Sequence, residues 1–158
     1  MSLKSSTLTV LLPDSRTKNY LFNFVDCPGH PAFSDEVTAG MRLADGVLLV
    51  VDCVEGVTLY VERLAKEAMR ARLPIVLFLN KVDRLVLELK LPPQDAYFKI
   101  KHTIDELNIV IKNYESVHQG RQSYLSPLQN NVVFGSTLFG SCFTVQSFAA
   151  KYIEMTVP

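Results

Sequence analysis

The chain opens on apolar positions spaced and clustered as strands are. Ser6–Leu12 (STLTVLL) is β-branched and apolar and predicts a strand. Pro13–Asn19 (PDSRTKN) is turn chemistry, and Tyr20–Asp26 (YLFNFVD) predicts a second strand, so the two form a hairpin. Ser34–Ala44 (SDEVTAGMRLA) starts with a capping Ser and two acids, the signature of a short helix. Gly46–Asp52 (GVLLVVD) and Leu73–Asn80 (LPIVLFLN) are continuous apolar runs, the pattern of strands buried on both faces of a parallel sheet. Between them, Val57–Arg72 sets Val57, Val61, Leu64, Ala68 and Met69 on one helical stripe. Pro92–Tyr114 predicts a longer helix, with Pro at its start and Ile100, Ile104, Leu107 and Ile111 on one face. Ser116–Asn131 is polar and reads as a loop, Val132–Thr137 as a short strand, and Thr144–Glu154 as a closing amphipathic helix. Strands alternating with helices give an α/β fold with a mostly parallel sheet.

Composition narrows the function classes. The 158 residues suffice for one domain with a core, and 48% hydrophobic with 20% charged residues is an ordinary globular balance. Lys+Arg and Asp+Glu are both 16, so no global field points to nucleic acid. Three scattered cysteines, Cys27, Cys53 and Cys142, suit a reduced protein better than a disulfide scaffold or a zinc site. No apolar run is long enough to span a bilayer, so no membrane role is expected. Residues 1–3 (MSL) resemble a cloning scar.

In open α/β sheets, ligands bind beyond the carboxyl ends of the strands. Three unusual stretches fall there: Asp26–His30 (DCPGH), Asn80–Asp83 (NKVD) and Phe134–Leu138 (FGSTL). An Asp-x-x-Gly turn alone is common chance. Asn-Lys-x-Asp closing an apolar strand is rarer, because a buried strand seldom ends in several polar residues. A strand-end carboxylate can hold the water shell of Mg²⁺, which prefers hard oxygens. A glycine backbone can approach a phosphate with no side chain in the way. A carboxylate offers two acceptors, matching the two N–H donors on guanine's Watson–Crick edge.

Together the motifs resemble the guanine-nucleotide-binding (G) domain of the translation-factor GTPases, in the elongation factor 2 branch. Phe33–Val57 and Asn80–Tyr97 carry that likeness, and LKLPPQDAY and Ser141–Tyr152 (SCFTVQSFAAKY) look most like the spliceosomal branch, the GTPases of the U5 small nuclear ribonucleoprotein. Pro31-Ala32 departs from the family's usual Val or Ala followed by Asp or Asn. The resemblance implies a three-layer P-loop NTPase G domain that takes GTP or GDP with Mg²⁺. It implies Asp26 for Mg²⁺ through water, Gly29 for the γ-phosphate, and His30 to position the attacking water. It further implies Asp83 and Asn80 for the base, the Lys81 stem over the ring, and the backbone at Ser136 and Thr137 for the guanine carbonyl. Implied partners are a guanine nucleotide, spliceosomal proteins and small nuclear RNA, in the nucleus; an elongation factor would be cytoplasmic.

One motif is missing. The glycines at 29, 40, 46, 56, 120, 135 and 140 are never followed by Lys, so no G-x-x-x-x-G-K-[ST] loop occurs. In the family that loop and the switch Thr precede the hairpin. The chain therefore reads as a single partial G domain over 1–158, truncated at its N-terminus. The phosphate-binding strand would lie between Tyr20–Asp26 and Gly46–Asp52, so a gap, re-pairing or an intermolecular strand is expected there. The chain alone is expected neither to bind GTP tightly nor to hydrolyse it. A non-catalytic interaction module, or a piece of elongation factor 2 or of a ribosome-assembly GTPase, stays open as an alternative.

Overall fold

A computed structural model describes residues 2–13, 18–118 and 124–156. The chain divides into two compact units, Met1–Asp45 and Gly46–Pro158.

In the first unit, β1 (Ser6–Pro13) pairs antiparallel with β2 (Asn19–Asp26), in register from Ser6 opposite Asp26 to Pro13 opposite Asn19. This is the expected hairpin; residues 14–17 of its turn lie outside the described residues. The cross-strand pair Thr9 and Asn23 is joined by a 2.8 Å hydrogen bond from the Thr hydroxyl to the Asn carbonyl oxygen. Helix α1 (Ser34–Leu43) follows a 3₁₀ turn at Pro31–Phe33. Ser34 is not the cap that its sequence position suggests. It is the first helical residue, and Phe33 precedes it with no side-chain cap. Gly40 of α1 is buried, and a Cβ there would stand 2.8 Å from the Cys27 Sγ. The glycine eases the close approach of helix and strand end, where the Cys27 thiol is the atom a Cβ would crowd.

The second unit is a four-stranded sheet in the order β3-β4-β5-β6. Strands β3 (Val47–Asp52), β4 (Ile75–Asn80) and β5 (Val132–Ser136) run parallel, and β6 (Ser141–Phe143) returns antiparallel to β5. Gly135 permits that return, because a Cβ would meet the Ser141 carbonyl oxygen at 2.8 Å and the Phe78 ring at 2.7 Å. Helix α2 (Leu59–Arg70) packs on β3 and on α4 (Pro93–His118), and α3 (Val82–Leu87) packs on β5. Leu77, Leu79, Leu107, Leu125 and Val132 form the centre of the core. Asn108 is buried among them and satisfies both polar groups of Leu125. Its Nδ2 donates to the carbonyl at 2.9 Å, and its Oδ1 accepts the N–H at 2.8 Å.

Strand β3 is not buried on both faces: Leu49 and Val51 are inside, whereas Leu48 and Val50 are each 53% exposed. Helix α2 starts after Thr58, whose hydroxyl accepts the Val61 N–H at 3.3 Å, so Val57 lies outside it. Its buried residues are Ala65, Ala68 and Met69. Helix α4 runs four residues past Tyr114, into the stretch read as loop. Of that stretch, residues 119–123 lie outside the described residues. The closing helix α5 (Val145–Thr156) forms, yet it buries no face: Phe148, Tyr152, Ile153 and Met155 are all exposed. Among the described residues, β2 pairs only with β1 and β3 only with β4.

Candidate functional site

The first unit carries Asp26, Gly29 and His30. Asp26 closes β2 and is exposed. Pro28 is fully buried and anchors the turn, and Gly29 and His30 beyond it are exposed. Gly29 has open space where a Cβ would stand, so packing does not demand a glycine there. His30 is the N-cap of the 3₁₀ turn, and its Nδ1 accepts the Ala32 N–H at 3.1 Å. A neutral imidazole that accepts at Nδ1 carries its proton on Nε2, which leaves an N–H donor for a ligand or water. Pro31 at the first position of that turn is compatible with this cap, since its missing N–H is not needed.

The second unit carries Asn80, Lys81, Asp83, Ser136 and Thr137 at the carboxyl ends of β4 and β5. Asn80 links the two strand ends. Its Oδ1 accepts the Lys81 N–H at 2.8 Å and the Thr137 N–H at 3.2 Å, and its Nδ2 donates to the Thr137 hydroxyl at 3.3 Å. A ligand carbonyl at Thr137 would therefore share an N–H that Asn80 already engages. Ser136 is buried, and its Oγ accepts the Phe139 N–H at 3.4 Å, shaping the turn into β6.

Lys81 has left-handed backbone, φ 61° and ψ 36°. For a side chain with a Cβ this costs about 1 kcal/mol and must be held by its surroundings. Asp52, paired with Asn80 in the β3–β4 register, does part of this. Its Oδ2 lies 2.8 Å from the Lys81 Nζ and 3.2 Å from an Arg84 guanidinium nitrogen. Burial pushes the Asp52 carboxyl upward, but the Lys81 hydrogen bond and charge, with backbone N–H groups of Val54 and Glu55, prevail and hold it below its usual range. The Lys81 ammonium is raised in turn, by the Asp52 hydrogen bond and charge.

Asp83 follows in the first turn of α3. No hydrogen bond or ion pair engages its carboxylate among the described residues. It lines an open cavity of about 370 Å³ with Lys81, Arg84, Glu88, Thr137 and Leu138. That volume is at the lower end of the ~300–1,000 Å³ typical of small-molecule sites.

The family model of the elongation factor Tu GTP-binding domain matches residues 1–156. The chain belongs to that family. This G domain is 48% identical over 155 residues to the 110 kDa U5 small nuclear ribonucleoprotein component CLO of Arabidopsis thaliana, covering 98% of the chain and 16% of that relative. It is equally 48% identical over 154 residues to the pre-mRNA-splicing factor cwf10 of Schizosaccharomyces pombe, covering 98% of the chain and 15% of the relative. Among solved structures, translation elongation factor SelB from Methanococcus maripaludis, in complex with the GTP analogue GppNHp, superposes with a TM-score of 0.64 at 18% identity. That match covers 99% of this chain and 28% of the other, and it establishes the G-domain fold. No helix of the described residues is long and apolar enough to cross a membrane.

Within this G domain, the unengaged Asp83 carboxylate on a cavity edge fits the two donors of guanine, so the base side suits the nucleotide. For Mg²⁺ the candidate carboxylate is Asp26 at the end of β2, since Asp52 at the end of β3 is engaged by Lys81 and Arg84. No group of three His, Cys, Asp or Glu side chains gathers as a metal site among the described residues. Reading the sequence missed Asp52, Arg84 and Glu88. Asp52 ends an apolar strand as Asn80 does, and that shared position was the available signal.

Proposed function

We propose that the chain is the guanine-nucleotide-binding part of an elongation factor 2-like GTPase of the U5 small nuclear ribonucleoprotein, acting in the nucleus in pre-mRNA splicing. Its partners are then spliceosomal proteins and small nuclear RNA. The observation that carries the base-binding reading is the Asp83 carboxylate, unengaged on the cavity that Asn80 frames by tying β4 to β5. In this reading Asp83 accepts both N–H groups of the guanine edge, and Asn80 fixes the strand ends. The Lys81 stem covers the ring, and the Ser136–Thr137 backbone meets the guanine carbonyl. Asp26 holds Mg²⁺ through water, Gly29 offers its N–H to the terminal phosphate, and His30 orients the water that attacks it. Bound Mg²⁺ supplies charge neutralisation at the phosphates.

Phosphate binding limits what this chain does alone. A few base hydrogen bonds of about 1 kcal/mol each do not offset the entropy of association. Without a G-x-x-x-x-G-K loop the chain gives no tight GTP complex and no turnover. Titration calorimetry with GTP and Mg²⁺ tests this, and a dissociation constant near micromolar overturns it. The base reading is tested by D83N in the GTPase that carries this domain. An amide presents one acceptor and one donor, which suits xanthine better than guanine. The variant is expected to lose GTP affinity and gain affinity for xanthosine triphosphate; unchanged GTP affinity rejects Asp83 as the guanine ligand.

A further inference from the structure

Two residues at the end of β3, outside every motif that resembles a nucleotide contact, grip the turn that presents Asp83. Cys53 is fully buried, and its thiol donates to the Lys81 carbonyl across 3.1 Å. Its own N–H donates to the Asn80 carbonyl at 3.0 Å. Asp52 takes the other end of Lys81, with its Oδ2 2.8 Å from the ammonium and 3.2 Å from Arg84. The Asp52 Oδ1 accepts the Val54 N–H at 2.8 Å, so the carboxylate is itself fixed. Arg84 continues to Glu88 at 2.7 Å, on the rim of the same cavity. The turn is thus held by its backbone and by its side chain, at the residue whose backbone is left-handed.

We infer that Asp52 and Cys53 are positioning residues for guanine recognition, a clamp that holds Lys81 in its left-handed conformation and thereby fixes where the Asp83 carboxylate stands. This rests on the reading of Asp83 as the guanine ligand. Neither residue touches the base. Both act through Lys81, and the apolar burial that raises the Cys53 thiol to about 11 keeps it protonated and donating at neutral pH.

Backbone ¹⁵N relaxation on the whole chain tests the clamp with no ligand present. Lys81, Val82 and Asp83 are expected to be as ordered as β4 in the unsubstituted chain and to lose order in D52N and in C53A. C53S, which keeps a hydroxyl donor, is expected to restore most of that order. Guanosine monophosphate and adenosine monophosphate, each at millimolar concentration, then read out recognition through the Asp83 and Thr137 amides. The preference for the guanine nucleotide is expected to fall about tenfold in D52N, the worth of one charge-assisted hydrogen bond. Unchanged order and unchanged preference in D52N and C53A overturn the inference. So do D52N shifts spread across β3, β4 and β5, which mark Asp52 as a residue of the fold alone. If C53A fails to fold, D52N decides. If neither nucleotide shifts the unsubstituted chain, as base contacts without a phosphate loop would give, the guanine preference is read in the GTPase that carries this domain, and the relaxation data decide the clamp.

Discussion

The two compact units differ in what holds their candidate residues. In Gly46–Pro158 the base-side loops hang from parallel strands over a core of Leu77, Leu79, Leu107, Leu125 and Val132. In Met1–Asp45 the buried apolar side chains among the described residues are Val37 and Pro28. The hairpin leaves Leu8, Leu11, Leu21, Phe22 and Phe24 largely exposed. A two-stranded ladder with both faces wet is marginal by itself. The difference follows the chemistry proposed for each. Base recognition needs fixed carboxylate geometry, whereas a phosphate-sensing turn works by gaining and losing order.

The largest test of that contrast is Asn108. N108A strands the buried N–H and C=O of Leu125, at about 2 kcal/mol each. A loss of about 4 kcal/mol is expected, read as faster amide exchange throughout β4 and β5. The first unit's nearest counterpart, T9A, removes an exposed cross-strand bond and is expected to cost under about 1 kcal/mol. Equal costs erase the contrast.

A matched pair of glycines sharpens it. At Gly135 an added methyl meets the Ser141 backbone carbonyl and the Phe78 ring, both under 3 Å away. G135A should cost about 2 kcal/mol by overpacking. At Gly40 the obstacle is one thiol, Cys27 Sγ at 2.8 Å, and the next atom is 3.6 Å away. Alanine also favours a helix over glycine by about 1 kcal/mol, so G40A should lie within about 1 kcal/mol of the unsubstituted chain. Denaturation midpoints followed by probes in each unit check both.

These devices show where the sequence is readable. Strand β4 is legible because its apolar run ends abruptly in Asn80, and the hairpin because its turn residues separate a β-branched run from an aromatic, apolar one. Helix α3 escapes detection because it begins immediately after Lys81, whose left-handed backbone no sequence periodicity announces. Strand β6 is three residues long and is set by its ladder to β5, not by its own pattern. Leu48 and Val50 show the limit of apolar runs, which mark a strand without saying whether both its faces are covered. For the site, residue type named Asp83 and Asn80. The Asp52–Lys81 pair needed the parallel register of β3 and β4 to bring residues 29 apart into contact.

That pair gives the second unit a pH signature. The folded Asp52 carboxyl sits below its ordinary value of 3.8. A depressed carboxyl stabilises the fold above the unfolded value, and that contribution is lost as pH falls from there through the lower folded value. Lys81 is 46% exposed, so solvent screening keeps the effect to about 1 kcal/mol or less. Unfolding followed at β3 and β4 should therefore weaken below about pH 4, and D52N should flatten that slope. An undiminished slope in the variant assigns the acid sensitivity to other carboxylates.

The smallest expected effect falls on the residue with the most specific proposed role. A Cβ on Gly29 would meet nothing within 4 Å, and among the described residues Gly29 is not one of the positive-φ glycines. G29A in this chain should therefore leave stability within about 0.5 kcal/mol. The same methyl would stand where the proposed γ-phosphate contact needs bare backbone. In the GTPase carrying this domain, G29A should leave GDP affinity unchanged and weaken the complex with a non-hydrolysable GTP analogue. A glycine that the fold does not use and a terminal phosphate does separates the two on one substitution. Loss of GDP and GTP-analogue binding together would place Gly29 in the scaffold of the turn.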